Sequence, residues 1–426
     1  NKKKNMTMLR NAKGITLIAL VITIVVLVIL AGVAINLSLS NNGIFNRAKQ
    51  AREDYKHATN EEQSGLANVE KAMDEIAGGS TTNPPVEKSE IEKSRDAGTY
   101  MTTPTTLKDS NENLIKVPEG FKIAQDSGIN VTEGIVIEDN DIIDGIGNNR
   151  GNQYVWIPVG TGIKKSDGTV VDITLGRYTF ADGTNDKASD GTTVLAKGTP
   201  ILQQSAENYA DEVLIEPYYK ELVTSRTGVA SSGTDGLNTT ALNLKSFIDS
   251  VKANGGYYIA RYEASYGTDG KANSKVSIGT PVKSNTTTKT EGMLWNFITQ
   301  IDSATASRNL YTTATTDLIN SYAWDTATLF LQSCGTNKSY PKRGSDIFSI
   351  TGTNNLETKD VQCNIYDMSS NFYEWATETS SDEGKPCVTR GGSSNGRGNT
   401  VRARISYNID FGNNIFLFHI YDSFIN

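Results

Sequence analysis

The most distinct pattern along the chain is an uninterrupted apolar stretch near its beginning. No charged residue occurs between Lys13 and Arg47, and residues 15–37 are nearly all Ile, Leu, Val, Ala and Thr. As an α-helix, residues 15–39 would be about 37 Å long, which exceeds the roughly 30 Å hydrocarbon core of a bilayer. The pattern therefore predicts a transmembrane helix whose basic flank stays on the cytoplasmic side.

A helix break and a second amphipathic pattern follow the apolar stretch. Residues 40–43 read Ser-Asn-Asn-Gly, which is typical of a helix end. Over residues 44–77, apolar side chains recur at three- and four-residue steps and acidic side chains occupy the other face. This predicts either a solvated stalk helix or a helix that packs on a neighbour. Residues 78–106 are rich in Gly, Ser, Thr, Pro and charge, which predicts a linker.

From residue 107 onward, short β-type runs alternate with turns of Gly, Asn and Asp. Residues 134–137 and 154–157 are such runs, and Asp-Gly pairs between residues 160 and 240 suggest hairpins. Residues 242–254 and 324–333 are helix-like. The predicted fold class is α+β, strand-dominated in its large domain, with a long N-terminal hydrophobic helix. The expected domains are a basic leader (1–14), a transmembrane and stalk helix (15–77), a linker (78–106) and a globular domain (107–426).

Composition narrows the classes of function. Lys and Arg total 41 against 48 Asp and Glu, a net charge of −7, which argues against a nucleic-acid partner. Two histidines exclude a multi-histidine metal centre. Three cysteines give no disulfide framework, although a bridge between Cys363 and Cys387 stays an alternative to buried free thiols. No nucleophile elbow, phosphate-binding glycine loop or histidine beside a nucleophile occurs, so we expect no enzyme.

The junction before the apolar stretch resembles the prepilin cleavage motif of type IV pilins and pseudopilins. Residues 13–20 read Lys-Gly-Ile-Thr-Leu-Ile-Ala-Leu. The resemblance implies that a prepilin peptidase cuts between Gly14 and Ile15 and that other pilin-like subunits are partners. The family usually has Glu at the fifth mature position, where this chain has Ala19. That difference favours a minor or tip subunit, or a pilin-like anchored protein, over a major filament subunit.

The large domain resembles formylglycine-generating enzymes. The matching segments are residues 154–159, 256–264 and 324–327, followed by residues 364–375, which read Asn-Ile-Tyr-Asp-Met-Ser-Ser-Asn-Phe-Tyr-Glu-Trp. An Arg-Gly-Gly-Ser run at residues 390–393 comes next, in the order that the family requires. The resemblance spans about residues 115–426 and implies a C-type-lectin-like fold.

The family's catalytic chemistry does not carry over. The enzymes use a copper-binding cysteine pair after the Arg-Gly-Gly-Ser run, and this chain has no cysteine after Ser393. A formylglycine-generating oxidase is therefore a rejected alternative, and no cofactor is expected. In some relatives the residues that match Asn371 and Glu374 help to hold a structural calcium ion, and here capping and pairing roles are the alternative. The residues that match Arg402 and Arg404 brace the family's core.

The final segment, residues 391–426, contains no Lys, Gln, Glu, Met or Trp. These five types are the ones that codons ending in a pyrimidine cannot encode. The segment thus resembles the variable region of target proteins of diversity-generating retroelements, which implies a changeable binding surface. A turn-rich β terminus with few long charged side chains is the alternative explanation.

These observations predict a pilin-like ligand-binding protein, of adhesin or receptor type, at the cell membrane and extracellular surface, with pilus association as an option. The expected partners are the membrane, other pilin-like subunits, a prepilin peptidase and a protein or glycan ligand. A structural minor pilin without a ligand is the alternative. Rigid aromatic groups and adaptable polar groups suit recognition. The residues expected to contact ligand are Ser394, Asn395, Arg397, Asn399, Tyr407, Asn408, Asp410, Asn413, Asn414, Phe416 and His419.

Overall fold

The computed structural model divides the chain into two compact units, Asn1–Glu87 and Lys88–Asn426, and describes the second. Described residues run from 87 to 422, apart from the following gaps: 145, 147–148, 210–213, 216–217, 222–243, 268–269, 276–289, 312–314, 343–359, 370–371, 383, 393–400, 409–415 and 419. Only the backbone is described for residues 416–418 and 420–422. The predicted leader with Gly14 and Ile15, the transmembrane segment and the stalk lie outside the described residues.

The predicted fold class, α+β with a long N-terminal hydrophobic helix and a C-type-lectin-like domain, is wrong for the part of the chain described. That part forms twenty-one strands and four α-helices, and its longest helix has 14 residues. None of these helices is long and apolar enough to cross a membrane. The physical reason is the spacing of the turns, because Gly, Asn and Asp end most apolar runs after a length that suits a strand.

The elements are short and follow one another closely. The helices are α1 (Glu90–Ala97), α2 (Leu244–Asn254), α3 (Gln300–Arg308) and α4 (Ser321–Cys334), with 3₁₀ turns at Ala206–Asn208 and Tyr340–Lys342. The strands are β1 (Thr105–Lys108), β2 (Leu114–Val117), β3 (Lys122–Ile123), β4 (Val136–Glu138), β5 (Gln153–Pro158), β6 (Gly160–Lys164), β7 (Val170–Ile173), β8 (Gly176–Phe180), β9 (Pro200–Ser205), β10 (Tyr219–Lys220), β11 (Gly256–Ala260), β12 (Ser265–Tyr266), β13 (Ala272–Asn273), β14 (Thr316–Leu318), β15 (Val361–Gln362), β16 (Ile365–Tyr366), β17 (Tyr373–Ser380), β18 (Cys387–Arg390), β19 (Arg404–Tyr407), β20 (Phe416–Phe418) and β21 (Ile420–Asp422).

Two larger sheets organise the described unit. The six-stranded sheet has the order β14-β21-β11-β5-β4-β3, so β21 from the end of the chain lies inside it. The five-stranded sheet has the order β10-β17-β18-β19, and β20 pairs with β17. Pairing is antiparallel between β17, β18 and β19, whereas β20 runs parallel to β17. The two-stranded sheets include the hairpins β1-β2, β6-β7 and β8-β9.

The Asp-Gly pair at residues 167–168 forms a hairpin turn between β6 and β7, as predicted. Gly168 joins β6 to β7 with a φ of 78°, a conformation that glycine adopts without strain. The neighbouring Asp167 carboxylate accepts a hydrogen bond from the Thr169 backbone at 2.9 Å, which closes an Asx turn. Sequence and structure therefore agree on how this hairpin forms.

Both predicted helices of the large domain are also confirmed. In α2, Leu244, Phe247, Ile248 and Val251 are buried, as the apolar periodicity indicates. Helix α4 begins earlier than predicted, at Ser321, because the Asn320 side chain accepts a hydrogen bond from the backbone N–H three residues on. The largest core side chains include Trp156, Trp324 and Trp375.

Part of the stretch predicted as a linker is folded. Helix α1 starts with a capping box in which Ser89 and Glu92 bond each other's backbone N–H groups. It ends at Gly98, which has a φ of 61°. The Ile91 side chain on this helix is fully buried in the core. The folded unit thus includes residues before 107.

Candidate functional site

The strand ends that flank the predicted binding segment meet at one end of the five-stranded sheet. Arg390, the last residue of β18, lies opposite both Glu374 in β17 and Arg404, the first residue of β19. Phe416, the first residue of β20, lies opposite Tyr373, the first residue of β17. We call the sheet end marked by these five residues the open end. In the sequence, residues 393–400 lie between the end of β18 and the start of β19, and residues 413–414 come shortly before β20.

The structure places few of the predicted contact residues. Tyr407 is half-buried, and its ring packs edge-on against Trp375 with 6.1 Å between ring centroids. Asn408 is exposed. Tyr407 is the last residue of β19 and Asn408 follows it, so at 3.3 Å per residue they lie about 10 and 13 Å from the open end. Phe416 is placed by its backbone alone. The remaining predicted contacts lie outside the described residues: Ser394, Asn395, Arg397, Asn399, Asp410, Asn413, Asn414 and His419.

Part of the final segment belongs to the scaffold. Val401 is fully buried, β19 and β20 join the five-stranded sheet, and β21 lies between β14 and β11 in the six-stranded sheet. Residues 391–426 are therefore not a single surface loop. The short β-type runs within the segment are the sequence signal that could have separated its strands from its connections.

A buried ionic cluster holds the strands behind the open end. It consists of three arginines and two carboxylates with fully buried side chains: Arg177, Asp325, Glu378, Arg390 and Arg404. Glu378 accepts hydrogen bonds from Arg177 at 2.6 Å, Arg404 at 2.9 Å and Arg390 at 3.2 Å. Asp325 on α4 accepts from Arg404 at 2.6 Å and also pairs with Arg390. The cluster joins β8, β17, β18, β19 and α4.

The electrostatics of this cluster keep Glu378 ionised. Burial alone would raise the pKa of Glu378, but the three guanidinium groups, that of Arg404 first, lower it to about 2. The Arg390 guanidinium also lies over the Trp324 ring, 5.6 Å from its centroid. The prediction that Arg404 braces the core is confirmed. Arg402 donates to the Phe180 carbonyl at 2.8 Å.

The calcium hypothesis rests on one described residue. Glu374 is fully buried, and a Cβ on Gly391 would lie 3.2 Å from its Oε2. Asn371 lies outside the described residues. Among the described residues no group of three or more His, Cys, Asp or Glu side chains could hold a metal ion. The calcium site stays a prediction.

All three cysteines are free and buried, so the alternative Cys363–Cys387 bridge is not formed. Burial raises the pKa of the Cys334 thiol to about 11, and it raises that of Cys363 further. Thiols with raised pKa values are poor nucleophiles at neutral pH. These cysteines act as small apolar core residues.

Sequence reasoning missed a cleft on another part of the unit. It has a volume of about 560 Å³ and is lined by the residues before β3, those that follow β4, the residue before β5, part of β13 and the chain before β14. Asp139 is 4% exposed and lies at its base. Its carboxylate accepts hydrogen bonds from the Asn152 backbone at 2.7 Å and side chain at 2.8 Å, and from the Tyr311 hydroxyl. The Asp-Asn-Asp sequence directly after an apolar strand was the available signal.

Comparison with models of known protein families gives no match for this chain. Comparison with curated proteins likewise gives no match. The resemblances to type IV pilins, formylglycine-generating enzymes and retroelement variable proteins stay predictions. Within the described residues, the geometry gives a strand-dominated unit with a cleft of a size that suits a small ligand.

Proposed function

We propose that this chain is a ligand-binding protein of the cell surface, anchored through its apolar N-terminal stretch, and that the segment at the open end of the five-stranded sheet contacts the ligand. The observation that carries the proposal is the meeting of the strand ends at Arg390, Arg404 and Phe416. Rigid strands that present connecting segments at one end are a common basis for recognition.

The buried ionic cluster supports this role because it fixes the strands independently of the connecting segments. Arg390 and Arg404 are bound to Asp325 and Glu378, so the ends of β18 and β19 have fixed positions. Side chains in the connections can then differ without loss of the core. The composition of residues 391–426, rich in Asn, Ser, Gly and aromatic residues, suits contact surfaces.

A binding role also fits the state of the thiols better than an oxidase role does. Cys334, Cys363 and Cys387 are buried and free, and all three precede the open-end segment in the sequence. A copper-dependent oxidase needs accessible thiolates as metal ligands. Oxygen-dependent thiol oxidation by the purified chain with added copper would contradict the proposal.

The direct test is a binding screen of the full chain in detergent against a glycan array and a displayed peptide library. We expect selective binding that falls about tenfold or more when Asn395 and Asn399 are both replaced by alanine. Asn185→Ala, an exposed asparagine in the β8–β9 connection, is the matched control and should bind as wild type. Unchanged binding by the double variant would contradict the assignment of the site.

Three further observations test the cellular part of the proposal. Mass spectrometry of the protein from its native cell should find Ile15 as the first residue, and an intact peptide across Gly14 and Ile15 would remove the pilin relationship. Electron microscopy should find the protein at filament ends, whereas uniform decoration would favour a structural pilin. A near-copy of the coding segment for 391–426, differing at adenines and beside a reverse transcriptase gene, would establish diversification.

A further inference from the structure

The cleft beside β4 carries an excess of acidic side chains. Its described lining includes the acidic residues Glu119, Asp139, Asp141 and Glu291 and one cationic residue, Lys271. The buried residue Lys275 partly balances this negative charge, because its ammonium group donates a hydrogen bond to the Asp141 carboxylate at 3.0 Å. Carboxylates that converge in a concave site attract positively charged molecules and raise their local concentration.

The four carboxylates have different roles. Asp139 is 4% exposed and is bonded by Asn152, Tyr311 and the Asp141 backbone. Burial raises the pKa of Asp139 above its ordinary value, although the hydrogen bond from Tyr311 opposes this. Asp139 therefore fixes the shape of the cleft. Glu119 and Asp141 are exposed and Glu291 is half-buried, so these three carboxylates can meet a ligand.

Asn273 provides an independent sign of a ligand. This residue of β13 lines the cleft and is only 2% exposed. Its side-chain Nδ2 is buried and has no hydrogen-bond partner among the described residues. A buried amide donor without an acceptor is unfavourable, so the site fits a molecule that supplies a carbonyl or similar oxygen.

An aromatic wall completes the cleft. Phe121 and Tyr311 both line it, with their ring centroids 5.7 Å apart in an edge-on arrangement, and Leu310 adds apolar surface beside them. An acidic rim, one buried donor and an apolar wall are the complements of a cation, an acceptor and an apolar group. A volume of about 560 Å³ lies within the range of small-ligand sites, roughly 300–1,000 Å³.

We propose that this cleft binds an α-ammonium group with its adjoining carbonyl, as presented by an amino-acid amide or by the free amino terminus of a peptide. The ammonium lies among the carboxylates of Glu119, Asp141 and Glu291. The carbonyl accepts a hydrogen bond from Asn273 Nδ2, and the side chain of the ligand packs on Phe121.

The test is calorimetric titration of the full chain in detergent with phenylalaninamide. N-acetylphenylalaninamide is the matched control, because acetylation removes the ammonium charge and leaves the carbonyl and ring. We expect phenylalaninamide to bind at least about tenfold more tightly than the acetylated compound. Equal affinity of the two compounds, or binding of neither, would overturn the proposal. A peptide with amino-terminal phenylalanine distinguishes the sources, since tighter binding than phenylalaninamide would identify a peptide terminus as the ligand and weaker binding a free amino-acid derivative.

Amino-acid substitutions test whether phenylalaninamide binds in the cleft. Glu119→Gln, at an exposed side chain, should fold normally and weaken phenylalaninamide several-fold, and Asn273→Ala should weaken it further. Glu112→Gln, which lies outside the cleft lining, should leave binding unchanged. Undiminished binding by Glu119→Gln and Asn273→Ala together would contradict the assignment. The Asn395→Ala/Asn399→Ala variant should bind phenylalaninamide as wild type, which separates this site from the open end.

Discussion

Replacing Glu378 by glutamine should destabilise the folded unit strongly, because this carboxylate compensates three buried guanidinium groups. It accepts hydrogen bonds from Arg177, Arg404 and Arg390 at 2.6, 2.9 and 3.2 Å. In Glu378→Gln the amide keeps the shape of the side chain and removes its charge. Asp325, which pairs with Arg390 and Arg404, would then be the remaining carboxylate of the described cluster. A buried charge that loses its partner typically costs about 3–5 kcal/mol.

The pKa of Glu378 gives a second measure of the same effect. It falls from the ordinary value of 4.5 to about 2 in the folded protein, and at about 1.4 kcal/mol per pKa unit this corresponds to about 3 kcal/mol. Because the folded-state pKa is depressed, the stabilisation is fully present above pH 4.5 and is lost as the pH falls toward 2. The stability difference between wild type and Glu378→Gln should therefore be constant at neutral pH and shrink over that acidic window.

Urea unfolding monitored by tryptophan fluorescence is a suitable assay. The chain has four tryptophans, and Trp156, Trp295, Trp324 and Trp375 are all buried in the described unit. The signal therefore reports unfolding of this unit.

Glu112→Gln is the control for the loss of a carboxylate. Glu112 pairs with Lys108 at 2.7 Å, and both side chains are at least half exposed. Solvent and salt screen exposed pairs strongly, so this variant should change the free energy of unfolding little. If Glu378→Gln costs no more than Glu112→Gln at pH 7, or if its cost does not decrease below pH 4.5, the charge-compensation argument is refuted.

Three further predictions use the same unfolding assay or a simple thiol titration. Ser89→Ala should remove the capping box of α1 and lower the free energy of unfolding by about 1 kcal/mol. Thr103→Ala, at an exposed residue, should change it little, and equal effects of the two substitutions would contradict the capping role of Ser89. Gly391→Ala should lower the free energy of unfolding clearly more than Gly98→Ala. Both glycines have positive φ, but a Cβ at 391 would lie 2.8 Å from a backbone oxygen, whereas a Cβ at 98 would meet nothing within 4 Å. The reverse order would be inconsistent with this packing. The three buried thiols should react with a thiol reagent only after unfolding in urea, and fast reaction of any of them in the native protein would show that it is accessible.

Local patterns determined which elements could be predicted. A strand was predicted at residues 154–157 and occurs there within β5, which is buried throughout, because a short apolar run between turn residues favours a strand. The predicted fold class is wrong for the described residues because it included a long hydrophobic helix, whereas their longest helix has 14 residues and turns divide most of this part of the chain into strands. Helix α4 starts three residues before its predicted start, since the capping role of Asn320 was not recognised.

The sites depend on contacts that no local pattern reveals. Arg177 and Glu378 are 201 positions apart in the sequence, and Asn273 reaches the cleft from a strand far along the chain from Asp139. Single-sequence reasoning gives the residue types but not which of them meet. The bracing role of Arg404 was predicted from the resemblance to formylglycine-generating enzymes and not from a local pattern.

Residues 391–426 contribute strands to both larger sheets and also connect those strands, and this restricts the diversification hypothesis. A substitution at Arg404 would leave Asp325 and Glu378 with fewer cations in a fully buried cluster, at a cost of about 3 kcal/mol or more. A substitution at exposed Asn408 should cost within about 0.5 kcal/mol. Variation that preserves folding must therefore spare the codon of Arg404 and fall on residues outside the buried strands. If the near-copy of the coding segment differed at adenines as often in the Arg404 codon as in the Asn408 codon, the separation of scaffold and contact residues would be contradicted.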